Sequence, residues 1–199
     1  MAKATSKRIA SVQRKTAETD ISLELCLDGG DYANQTGVGF FNHMLDHTAR
    51  HGRLGLIVNA SGDTHIDDHH TVEDVGLVLG QAIDEALGDK RGIERFGFAS
   101  VPMDDALARV SIDLSGRAVL MFEVQFSDCV GKIGAFDTQL VREFFNAVVN
   151  AGKFNCHIEV PRGDNNHHVA EAIFKAFGRA LCQAVTISGT DVPSTKGVL

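Results

Sequence analysis

The amino-acid sequence predicts an α+β fold built by internal duplication, with two similar βα half-domains packed together. Three features of its 199 residues carry that reading. A five-residue pattern occurs twice, as His69-His70-Thr71-Val72-Glu73 and as His167-His168-Val169-Ala170-Glu171. A Gly-Asp pair stands upstream of each copy, Gly62-Asp63 and Gly163-Asp164. The stretches leading to the two copies share one order: strands, a helix, a strand, Gly-Asp, then the motif helix. The halves span residues 8–92 and 93–188, and residues 189–199 form a tail. In each half a mixed sheet is expected to carry its helices on one side.

In chain order, residues 9–16 are short and mixed. The run Ile21-Ser22-Leu23-Glu24-Leu25-Cys26-Leu27 alternates with the period of a half-buried strand, and Asp28-Gly29-Gly30 ends it. Apolar spacing over 40–50 suits a helix, and 54–60 reads as a strand closed by Ser61-Gly62-Asp63. Val72, Val75, Leu79, Ile83 and Leu87 recur at helical steps, which predicts a helix over 68–87 with Gly88 as its stop. The second half predicts strands at 99–103, 108–114 and 118–126, a helix over 136–149 and a strand at 156–160. A long helix over 165–185 follows, with Val169, Ile173, Phe177 and Leu181 on one face. Residues 188–199 are irregular and polar.

Composition narrows the function classes. Hydrophobic content of 44% with 23% charged residues describes an ordinary soluble domain. No apolar run approaches the length of a membrane span. The start, Met-Ala-Lys-Ala-Thr-Ser-Lys-Arg, lacks the apolar core of a secretory signal, so a cytoplasmic protein is expected. Cys26, Cys129, Cys156 and Cys182 are scattered, which predicts reduced and mostly buried thiols. A net charge of −7 argues against a general nucleic-acid surface and leaves room for a local basic pocket.

The repeated motif carries the chemistry. Imidazole and carboxylate together suit a borderline divalent metal. Residues four apart on a helix share a face, whereas adjacent ones point about 100° apart. His69 with Glu73, and His167 with Glu171, can therefore each grip one ion, while His70 and His168 are free to serve another. If the motif helices face each other, one site takes His167, Glu171 and His70, and the other takes His69, Glu73 and His168. Those helices belong to one subunit or to two; spacing does not decide. Each site still needs a further ligand. His43, His47 and His51 form a stripe from which one ligand is expected, whereas His65 reads as a turn residue and His157 as a lone strand histidine. Asp67, Asp68 and Asp164 read as caps or as partners of the ligands.

Further blocks reach across the chain: FNHMLDH at 41–47, GDTHIDDHHTVED at 62–74, RGIERFG at 91–97, DLSGR at 113–117, FDTQ at 136–139, HHVAEAIFK at 167–175 and PSTKGVL at 193–199. In these the chain resembles the imidazoleglycerol-phosphate dehydratases of histidine biosynthesis. The resemblance implies halves with the βα topology of a ribosomal-protein domain. It also implies a homo-oligomer, a hollow cubic shell of twenty-four subunits, with two Mn2+ ions per active site at subunit contacts. One ion would take His43, His70, His167 and Glu171, and the other His69, Glu73, His157 and His168, which makes His157 a ligand. His47 departs from a family pattern that often has Gln there, and its role stays open between general acid and spectator.

The reaction so implied converts imidazole glycerol phosphate to imidazole acetol phosphate and water, a hydro-lyase step. Its difficulty is that the hydrogen removed has no adjacent carbonyl to acidify it. A metal-bound imidazolate that expels the hydroxyl, giving a diazafulvene-like intermediate, resolves this. Glu18 matches a family glutamate near the substrate and is the candidate base, with Glu171 and His70 also assigned catalytic roles. Arg95, Arg117, Lys175, Ser194, Thr195 and Lys196 occupy phosphate-contact positions, and His43, His51, His69, Glu73 and His167 line the substrate. The tail is therefore expected to order over the ligand. Competing readings are a dinuclear phosphoesterase and a non-catalytic metal-storage or assembly protein. No nucleic acid or membrane is expected among the partners.

Overall fold

The computed structural model describes residues 7–127, 131–197 and 199. Cys129 and Val198, both named above, lie outside the described residues, as does the start of the chain through residue 6.

The first half comprises strands β1 (Ile9–Lys15), β2 (Thr19–Cys26) and β3 (Tyr32–Gln35), helix α1 (Gly39–Gly52), strand β4 (Gly55–Gly62) and helix α2 (His69–Leu87). The second comprises β5 (Phe96–Met103), β6 (Ala106–Asp113), β7 (Val119–Glu123), the short pair β8 (Lys132–Ile133) and β9 (Phe136–Asp137), α3 (Gln139–Gly152), β10 (Asn155–Arg162) and α4 (Asn166–Val185). The sheets have orders β1-β2-β4-β3 and β5-β6-β10-β7. In each, two antiparallel pairings are followed by one parallel edge strand, β3 on β4 and β7 on β10. The topologies are equivalent strand for strand, which gives the expected duplicated α+β architecture. The β8–β9 hairpin is an insertion of the second half.

Two local expectations are corrected, and one short strand is added. Residues 9–16, read as short and mixed, form a regular edge strand, because β2 supplies a complete antiparallel partner from Ile9↔Cys26 to Lys15↔Asp20. Strand β3 gives little sequence signal, because only four residues pair. The third helix starts at Gln139, not 136: Phe136 and Asp137 pair with β8, and the Asp137 carboxylate then accepts the Gln139 N–H at 3.0 Å.

The helices form the middle of the molecule. Helix α2 packs on β1 and β2 and, across its other face, on α3; α4 packs on β5 and β6 and on α1. That double contact explains why α2 and α4 are buried almost all round, including Val72, Val75, Leu79, Ile83, Val169, Ile173, Phe177 and Leu181. Close helix approach depends on missing side chains. A Cβ at Gly80 of α2 would meet the carbonyl oxygen of Val148 on α3, and one at Gly178 of α4 would meet that of Thr48 on α1. The sheets' other faces point outward. On the second sheet Phe98, Ser111, His157 and Met121 stand side by side there, with Phe98 58% exposed. No helix among the described residues is long and apolar enough to cross a membrane. Cys26 and Cys156 are free and buried, Cys182 is free and half-buried, and burial pushes the Cys156 thiol far up.

Candidate active site

The motif helices begin where strands β4 and β10 end. Asn165 caps α4, its side-chain oxygen accepting the N–H groups of His167 and His168. At the start of α2 the Asp67 carboxylate accepts the His69 N–H at 2.8 Å, the capping role expected of it. Both motifs are thus held at helix N-termini with their histidines outward.

One cluster forms between α1 and α4. His43, His167 and Glu171 each offer a ligand atom within 4.8 Å of one another. The Nε2 atoms of His167, His47 and His43 lie 3.1, 3.4 and 3.5 Å from the single oxygen Glu171 Oε2. The His43 and His47 Nε2 atoms are 3.1 Å apart. Lys175, one turn along α4, donates to the other carboxylate oxygen. Burial alone would raise the Glu171 pKa, but the Lys175 ammonium, the His47 charge and the His167 hydrogen bond bring it down to about 2. His47 is pushed down to about 4, chiefly by burial, and so stands neutral at pH 7. Burial also lowers His51, which stacks on His47 at 5.7 Å.

A second cluster joins the β1–β2 turn to α2. Glu18, Asp63 and His70 lie together. The Thr19 hydroxyl (2.5 Å) and the Arg14 guanidinium (2.9 Å) both donate to Asp74, which ties the hairpin to α2. Thr16 Oγ1 accepts the Glu18 and Thr19 N–H groups and orders the turn. Glu18, about half exposed, ends 3.8 Å from His70 Nδ1. The Asp63 hydrogen bond raises the His70 pKa, and the Asp105 hydrogen bond raises that of His168. His69 and Glu73 face each other at 3.8 Å across one helical turn. His69 borders a cleft of about 480 Å3 between the 64–68 loop and the β8–β9 hairpin.

The phosphate candidates fall into two groups. Arg95 donates to Asp113 at 2.7 Å and to the Pro193 carbonyl at 2.9 Å, and lies over the Phe96 ring. The main chain of Leu199 approaches Gly116, beside Arg117. The tail with Ser194, Thr195 and Lys196 therefore returns to the arginines of the second sheet. Lys175 stays with Glu171.

Within this chain the two four-residue sets that the resemblance implies are only partly brought together. His43, His167 and Glu171 meet, while His70 stands in the Asp63 cluster. His69 and Glu73 meet, while His168 faces Asp105. His157 projects from the sheet face opposite the helices, since its neighbours Cys156 and Ile158 are the buried ones. Three residues stand in these clusters in places that the sequence does not assign. His47, whose role the sequence leaves open between general acid and spectator, lies one helical turn from His43 and reaches Glu171. Asp63 was read only as a turn marker, although Gly-Asp recurrence flagged it. Asp105 sits in a two-residue hairpin turn and leaves no sequence signal.

Duplicated halves, with imidazole–carboxylate clusters at matching helix starts, define a candidate enzyme site on an α+β scaffold. The comparisons specify which one. Residues 36–181 match the family model of imidazoleglycerol-phosphate dehydratase. The imidazoleglycerol-phosphate dehydratase of Acidiphilium cryptum is 58% identical over 96% of this chain and 99% of its own length. That of Ruegeria pomeroyi is 56% identical over 96% of this chain and 100% of its own length. The crystal structure of the Staphylococcus aureus enzyme superposes with a TM-score of 0.82 at 44% identity, covering 90% of this chain and 99% of that one. The Pyrococcus furiosus structure gives a TM-score of 0.83 at 36% identity, covering 94% and 100%. The chain belongs to the imidazoleglycerol-phosphate dehydratase family, a family of hydro-lyases.

Proposed function

We propose that this chain dehydrates imidazole glycerol phosphate to imidazole acetol phosphate in cytoplasmic histidine biosynthesis, using two divalent cations, Mn2+ foremost. The observation that carries the reading is the convergence of the His43 and His167 Nε2 atoms on one buried carboxylate oxygen, Glu171 Oε2, with His47 Nε2 beside them. Imidazole nitrogens and a carboxylate held ionised form a donor set that fits such a cation. His43, His70, His167 and Glu171 would hold one ion, and His69, Glu73, His157 and His168 the other. The outward placement of His157 supports sets completed between copies, and hence a homo-oligomer with cation sites at subunit contacts. The shell of twenty-four subunits belongs to this reading.

A bound cation supplies Lewis acidity that lowers the pKa of the ring N–H. The chain's own groups do the rest. Arg95, Arg117, Lys175, Ser194, Thr195 and Lys196 fix the phosphate, the guanidinium forks matching its oxygens. His51 lines the substrate from the α1 stripe. Once the carbon–oxygen bond beside the ring breaks, with the ring N–H proton and the hydroxide leaving together as water, the diazafulvene-like species has an acidic C–H on the next carbon. Glu18, ordered by Thr16 and open to solvent, takes that proton; the resulting enol becomes the ketone.

The test is an assay of the full chain on imidazole glycerol phosphate after chelation, with and without added Mn2+. The expected result is a ketone product that forms only with metal. Release of inorganic phosphate in its place would support the phosphoesterase reading, and turnover untouched by chelation would remove the cations from the chemistry.

A further inference from the structure

His70 and His168 are the second histidines of the two motifs, and in each the same ring atom faces a carboxylate. His70 Nδ1 lies 3.0 Å from Asp63 Oδ2, and His168 Nδ1 lies 2.5 Å from Asp105 Oδ1. The carboxylates come from different places. Asp63 belongs to the Gly-Asp turn after β4, whereas Asp105 belongs to the turn between β5 and β6. The equivalent positions have exchanged tasks. Asp164, the Gly-Asp counterpart of Asp63, contributes its backbone N–H, which donates to Asp105 Oδ2 at 2.6 Å. Glu18, on the β1–β2 turn that corresponds to β5–β6, contributes its carbonyl oxygen, which accepts the Asp63 N–H at 3.1 Å.

A ring nitrogen that faces a carboxylate carries its hydrogen there, so the lone pair of the neutral imidazole sits on Nε2. We propose that Asp63 and Asp105 are positioning residues: each fixes the Nδ1–H tautomer and ring orientation of its histidine, so that Nε2 of His70 and of His168 is the ligating atom. This rests on the cation reading above. Among the described residues His168 Nε2 lies 3.5 Å from the exposed Asp104 carboxylate, beyond the short contact that Nδ1 makes with Asp105. The exchange of tasks also frees the Glu18 carboxylate, because Asp63 already holds His70.

The experiment is Mn2+ titration, read by the signal of free Mn2+, on the wild-type chain and on Asp63→Asn, Asp105→Asn and Asp164→Asn. Partners of this kind are worth about 10–100-fold in metal affinity. The first two variants should lose at least tenfold, whereas Asp164→Asn should stay within about twofold of wild type. Equal affinity in all four proteins would overturn the proposal, as would an Asp164→Asn loss as large as that of Asp63→Asn. Nitrogen–proton correlation spectra of the metal-free wild type give a second readout that needs no variant to fold. They should show the Nδ1–H tautomer at His70 and His168, and Nε2–H at either would overturn the assignment. If the wild type binds no Mn2+, the cation reading fails, and the tautomers still decide whether the aspartates orient the rings.

Discussion

Glu18 and His47 are the residues whose roles diverge most from what their sequence neighbourhood suggests. Glu18 looks like a solvated turn residue, yet the Thr16 hydroxyl orders its turn and the Asp74 contacts lock that turn to α2. A positioned general base is worth about 10²–10⁴-fold in rate. Glu18→Gln should therefore lose turnover on that scale while Mn2+ and substrate affinities hold; near-normal turnover would remove Glu18 from the mechanism. His47 makes a claim about pH. Its folded pKa is about 4, below the ordinary histidine value near 6.5, so between those values the unfolded chain binds a proton that the native one does not. Glu171, also lowered, has stability present above its ordinary carboxylate range and lost as pH falls toward about 2. Thermal scans of the metal-free chain should show the melting temperature falling from pH 6.5 downward. His47→Gln should flatten the fall between pH 6.5 and 4 and also lessen the part below 4.5, because Glu171 loses the His47 charge that helps to hold it ionised. An unchanged slope in the variant would contradict the burial of His47.

The elements follow from periodicity where a segment buries one face, and depart from it where pairing decides. Ile21 to Leu27 alternates because one face of β2 covers the helices, and Val72 to Leu87 keeps helical steps because α2 packs on β1, β2 and α3. Strand β3 and the β8–β9 pair are legible only through their partners, since four residues or two carry no period. The motif helices could be placed from sequence because the histidines sit at their first turn, just after the strands end. Which helix meets which was not legible. The crossing of α2 on α3 depends on glycines whose role appears only when the neighbouring backbone is in place. Gly80→Ala would push a methyl group into the Val148 carbonyl, and overpacking of this kind costs about 1–3 kcal/mol. Urea unfolding should show a lower midpoint with an unchanged slope, whereas wild-type stability would mean that the helices are not in close contact there.

At the scale of the whole molecule, duplication explains both the symmetry of the site and its divergence. Equivalent sheets set each HHxxE helix start at the end of an equivalent strand, so two imidazole–carboxylate grips are inherited together. The pairing of His69 with Glu73 and His167 with Glu171 was readable from spacing, because four helical residues make one turn. The carboxylates behind His70 and His168 were not, because one comes from a turn that the repeat marks and the other from a hairpin that it does not. His157 illustrates the further limit: a strand histidine between Ser111 and Met121 on an outward sheet face would take the proposed metal role only through a second copy, a geometry that helical and strand periodicity cannot encode.

The most direct measurement is anomalous diffraction at the manganese edge from crystals of the full chain at saturating Mn2+. Two peaks per chain are predicted, one against His43, His167 and Glu171 and one against His69 and Glu73, each completed by histidines that this chain alone leaves apart. Crystals with no peak at either place, or with the His43 and His167 Nε2 atoms turned away from Glu171, would contradict the account.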